Sequence, residues 1–198
     1  MSIEIGEGGS AQGVVAERFR PGERAVSARA LVAVVGYVRV LLIALWLGAA
    51  VFFSAVVAPS VFAVLRSFHL SNANEIAGTI VTRTLSVVNT GGFLIGLLLL
   101  ASAFLLRRTT TRRALRAELI ALLLVTITTG VGQWIIAARM LQLRVAMGRP
   151  VDEVAQNDPV RMAFNSLHGY SVGALGLGIL AGLVALLMIA RRARADSV

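Results

Sequence analysis

The 198-residue chain contains no cysteine and no lysine. Without cysteine, disulfides, zinc–thiolate sites, iron–sulfur clusters and thiol nucleophiles are excluded within the chain. The same absence leaves the redox compartment undecided. Without lysine, all 19 basic side chains are arginine, against 10 acidic ones, and the net charge is +9. Aromatic residues make up 6% and histidines number 2. The most informative absence is local. Val40–Leu65, Thr84–Leu106, Leu119–Ala138 and Gly169–Ala190 contain no charged residue at all. Each has roughly the 20 residues an α-helix needs to cross a hydrocarbon core of about 30 Å. A charge at the bilayer centre costs at least about 2.5 kcal/mol, so four such runs predict four membrane spans.

What fills these runs is apolar. Hydrophobic residues are 57% of the chain and the mean hydropathy is +0.82. A pI of 11.7 in a soluble protein would point to nucleic acid. Here the arginines border the spans, where anionic head groups account for them, so the lipid bilayer is the expected partner and nucleic acid is not. The segment preceding Ala30 carries Glu4, Glu7, Glu17 and Glu23 and lacks the short apolar core of a secretory signal, which predicts an uncleaved first span.

Arginine placement predicts the orientation. The N-terminal side, the second connection and the C-terminus carry 13 arginines; the first and third connections carry the other 6. The positive-inside rule then places both termini in the cytoplasm of an inner-membrane protein. The expected fold is all-α, an antiparallel four-helix transmembrane bundle. A membrane domain of 30–192, with spans near 40–62, 84–106, 119–138 and 169–190, lies between cytoplasmic tails 1–29 and 193–198. Ser67–Arg83 is expected to hold a short interfacial helix capped by Ser71 or Asn72, and Arg107–Glu118 to form a tight basic turn. Gly148-Arg149-Pro150 should end an outward continuation of the third helix. Asp158-Pro159 should start a helix that runs into the fourth span, and Pro59 should kink the first.

Three glycine pairs have the spacing that lets helices approach closely in lipid: Gly92/Gly96, Gly169/Gly173 and Gly178/Gly182. Packing within the bundle is the preferred expectation, and a homo-oligomer face the alternative. Polar residues concentrate in the predicted outer leaflet: Asn89, Gln133, Asn165, His168 and Ser171, with Ser86, Thr126 and Thr129 nearby. The inner halves read as almost purely apolar, and no carboxylate falls within a run. Two interpretations follow, hydrogen bonds that merely hold the helices together or a small polar cavity open to the outside. His168 and His69, with Met162 as a soft neighbour, are the only candidate metal ligands; they lie in separate segments without ligand spacing. No nucleophile–base pair assembles, so neither an enzyme nor a bound cofactor is expected.

Leu45-Trp46-Leu47-Gly48-Ala49-Ala50-Val51-Phe52-Phe53, continuing to Ala58-Pro59-Ser60-Val61-Phe62, resembles the first-helix pattern of the transmembrane protein 205-like family. Phe164-Asn165-Ser166-Leu167-His168-Gly169-Tyr170-Ser171 resembles its F-x-x-L-H-x-x-S element. The resemblance covers about Val40–Ala190. It implies a four-span domain of no established activity, with Pro59, Phe62, Phe164, Leu167, His168 and Ser171 as the positions of interest. Some of that family are linked to resistance to metal-containing compounds. The expected function is small-solute or metal-ion handling through the outer polar site; the rivals are a haem- or metal-binding redox protein and a purely structural or assembly protein.

Overall fold

A computed structural model describes residues 21–70, 72–105 and 111–195, and side chains within 30–70, 72–104 and 111–194. Of the expected tails 1–29 and 193–198, residues 1–20 and 196–198 lie outside the described residues, as does Ser71, while 21–29 and 193–195 are helical. Four helical rods, Ala30–Ser67, Ala73–Phe104, Arg112–Met147 and Pro159–Arg194, are long and apolar enough to cross a membrane. They pack antiparallel, as the charge-free runs predict.

The first rod begins with α1 (Pro21–Phe52), passes through one π-helical turn at Phe53–Val57 and continues as α2 (Ala58–Ser67). Helix therefore starts ahead of Ala30, with Pro21 at the first helical position that proline favours. The π turn has a local cause. Pro59 lacks an N–H, and its ring crowds the carbonyl four residues back, at Ala55, so the backbone widens there.

Two connections differ from expectation. No separate interfacial helix forms between Ser67 and Arg83. Instead α3 (Ala73–Leu105) is continuous, because nothing between Ala73 and Arg83 breaks a helix and Glu75 suits its first turn. The basic turn is also shorter than Arg107–Glu118. Residues 106–110 are not described, but α4 (Arg112–Gly130) already starts at Arg112, where the Thr111 hydroxyl accepts from Ala114 N–H at 3.4 Å. Glu118 is thereby moved from a turn to the second turn of a spanning helix.

The third rod contains a second π turn, Val131–Ile136, in which Ala137 N–H donates to Gly132 O, before α5 (Ala137–Met147). Gly148 ends α5 at φ +62°, a left-handed conformation that costs glycine little. After a short 3-10 turn, α6 (Pro159–Ala195) begins as expected: Asp158 Oδ1 accepts from the N–H groups of Val160 at 2.7 Å and Arg161 at 3.3 Å.

Trp46 anchors the centre. It is buried and donates from Nε1 to Val88 O at 3.0 Å. Its ring lies against glycines on two other helices. A Cβ at Gly182 would stand 2.7 Å from Trp46 Cζ3, and one at Gly92 2.7 Å from Trp46 Cε2. Gly96 faces Thr126, and Gly178 faces Thr128. Two of the three glycine pairs thus serve packing inside the bundle, whereas Gly169 and Gly173 have no neighbour within 4 Å. At the opposite end of the bundle from the start of α1 and the end of α6, Arg144 pairs with Glu75 at 3.5 Å and lies over the Phe164 ring. Asn74 donates to Asp152 at 2.8 Å, tying the long connection to the start of α3. Beyond the first π turn, α2 packs on α3 and has no substantial packing with α6.

Candidate functional site

Polar chemistry inside the bundle occurs at two levels. The first is toward the end of the bundle where α1 begins and α6 ends. Glu118 is 2% exposed and its carboxylate lies between two guanidiniums. Arg39, also 2% exposed, donates from one Nη to Glu118 Oε1 and lies 3.4 Å from Leu99 O. Arg192 reaches Glu118 Oε2 at 3.4 Å. One carboxylate therefore joins α1, α4 and α6, and Arg39 extends the junction to the backbone of α3. This corrects the expectation that the inner halves are almost purely apolar. Arg39 and Glu118 each stand one residue outside a charge-free run, and the helices continue past them, so both side chains turn inward. One signal was present: Glu118 shares a face with Ala121, Leu122, Val125 and Thr129, all buried, at helical spacing. Its partner lies 79 residues away in the sequence, which no local pattern identifies.

The second level is about 22 Å along the third rod, at Gln133 in the second π turn, fifteen residues from Glu118. Asn89 is 4% exposed and sits against the backbone of the second π turn: a Cβ at Gly132 would come within 3.1 Å of Asn89 Nδ2. Among the described residues no hydrogen bond satisfies its carboxamide. Gln133 donates from Nε2 to Ser86 Oγ at 2.9 Å, while its Oε1 is buried with no donor. Exchanging the amide N and O would leave the NH₂ end unmet instead; either way one buried polar end is left without a partner, at a cost of about 1–3 kcal/mol. The nearby threonines do not help. Thr126 donates to Leu122 O at 2.9 Å and Thr129 to Val125 O at 2.7 Å. π turns leave backbone polar groups irregularly paired and recur at functional positions; this one carries Gln133 and Gly132.

Asn89 and Gln133 are thus brought to one seam, between α3 and α4. Asn165 and His168 are exposed on α6 and Ser171 is half-buried, so these three do not join that seam. His168 is seven residues before the buried Leu175 and shares its face. It remains uncovered because α2, beyond the π turn, packs on α3 and not substantially on α6. Met162 is exposed, and Leu167 half-buried. Phe164 is buried beneath Arg144. Pro59 is exposed and Phe62 half-buried under the Arg66 guanidinium. His69 lies in the α2–α3 turn at φ +52°, exposed to solvent or head groups. Among the described residues no three His, Cys, Asp or Glu side chains gather into a metal-binding group.

Four apolar spans, a buried charge junction at one end and a neutral polar seam define a multi-pass helical membrane protein. The model of the family described as Domain of unknown function (DUF4149) matches residues 41–149. The chain belongs to that family. The match contains Asn89, Glu118 and Gln133 and ends before Phe164–Ser171. No curated protein and no solved structure matches the chain.

Proposed function

We propose that the protein is a non-enzymatic membrane protein that handles a small uncharged, hydrogen-bonding solute at the Ser86–Asn89–Gln133 seam. The observation that carries this is the half-buried Gln133, whose buried Oε1 has no partner among the described residues, beside an Asn89 carboxamide with none there either. The site has hydrogen-bonding capacity and no charge. A metal ion entering it would lose hydration without meeting a carboxylate, thiolate or imidazole, so a neutral solute fits better. The positive-inside rule supports an inner membrane with both termini cytoplasmic, which puts the seam in the outer half. The likeness to the transmembrane protein 205-like pattern is consistent with this and adds no residue of known role.

The test is solute permeation. Proteoliposomes mixed rapidly with urea or glycerol should equilibrate faster than protein-free vesicles, and Gln133→Leu or Asn89→Leu should remove most of the difference. Wild-type protein that leaves both rates unchanged would sink the proposal. A purely structural role is the second reading, favoured by the Glu118 junction that ties helices together. It predicts that the two variants change thermal stability alone.

A further inference from the structure

At the end of the bundle where α1 begins and α6 ends, Glu118 is the only acidic residue among the described side chains. Its two oxygens are occupied by Arg39 and Arg192. None of its charge is left for the exposed arginines around it, and among the described side chains Arg116 and Arg191 have no carboxylate partner. Each of these two heads an apolar stripe on the outside of its helix. Ile120, Leu123 and Ile127 follow Arg116 at spacings of four, seven and eleven, all at least 48% exposed. Leu187, Leu183 and Leu180 follow Arg191 in the reverse direction at four, eight and eleven, all at least 45% exposed. These spacings keep each stripe on one helical face, in line with its arginine. Both arginines flank the Glu118–Arg192 contact, where the charge-free runs begin, which is where lipid phosphates lie.

From this arrangement we infer that this end of the bundle is a binding site for anionic glycerophospholipid. The phosphate sits on Arg116 or Arg191, and the acyl chains lie along the stripe below. The buried junction has a supporting part: it neutralises Glu118, which would otherwise repel the phosphate, and fixes α4 against α6. The shared chemistry is a phosphate anion, and the apolar stripes select the lipid form over the free ion.

The experiment is a thermal melt of the full chain in a neutral detergent. It is titrated with phosphatidylglycerol, phosphatidylcholine or inorganic phosphate. Phosphatidylglycerol should raise the melting temperature at concentrations where the other two do not. Arg116→Gln/Arg191→Gln should melt as wild type without lipid, because both residues are exposed, yet require on the order of tenfold more phosphatidylglycerol for the same rise. Raising the salt concentration should weaken the wild-type effect. An equal rise with phosphatidylcholine, an equal rise with inorganic phosphate, or full phosphatidylglycerol selectivity in the double variant would each overturn the assignment.

Discussion

Glu118→Gln isolates the buried charge junction with almost no change in shape. The side chain is 2% exposed, and its two partners, Arg39 and Arg192, have side chains 3% and 10% exposed. The amide can still accept from one guanidinium. It carries no charge, however, and its NH₂ end would face the other as donor against donor. Removing one partner of a buried ion pair costs about 3–5 kcal/mol, because the remaining charge stays desolvated. With two guanidiniums left, the loss should fall in the upper part of that range. Equilibrium unfolding in mixed micelles, with resistance to proteolysis as a second readout, measures it. The reasoning has an internal control. Replacing all three residues by leucine removes every buried charge together with its partner, and should recover most of the stability lost in Glu118→Gln. If Glu118→Gln unfolds within about 0.5 kcal/mol of wild type, as surface substitutions do, the junction does not exist as described.

The glycines offer a contrast within one motif class. Gly182→Ala should destabilise measurably, because its methyl would stand 2.7 Å from the Trp46 ring, whereas Gly173→Ala meets nothing and should be neutral or stabilising by up to about 1 kcal/mol; thermal melts of the two variants compare them directly. Orientation can be tested because the chain has no cysteine. A Gln156→Cys variant should react with a membrane-impermeant maleimide in intact cells, and labelling only after lysis would reverse the proposed topology.

The architecture was legible because a bilayer imposes a rule that needs no partner information: charge must stay out of about 30 Å of hydrocarbon. Four charge-free runs therefore gave four spans, and local backbone chemistry gave Gly148, Asp158 and the irregularity before Pro59. Asn89 was also legible as inward-facing, from its phase with Gly92 and Gly96. His168, grouped with Asn89 and Gln133 by its level along the spans, is instead exposed on α6. It shares a helical face with the buried Leu175, but burial needs a neighbour, and at its level α2 packs on α3 and not substantially on α6. Helix phase is a property of one segment; cover is a property of two.

Sequence alone determined that the chain crosses a membrane, about where, and with which borders, since hydropathy and length act on each segment independently. Tertiary structure decided the pairings: Glu118 with arginines from two distant helices, Gln133 with Ser86, and Trp46 with glycines on α3 and α6. These are contacts between residues 46 to 136 apart in the sequence, fixed by how the rods are rotated and staggered against one another. That rotation is set by the close packing of all four faces at once, which is why the charge junction and the polar seam emerged only when the helices were brought together.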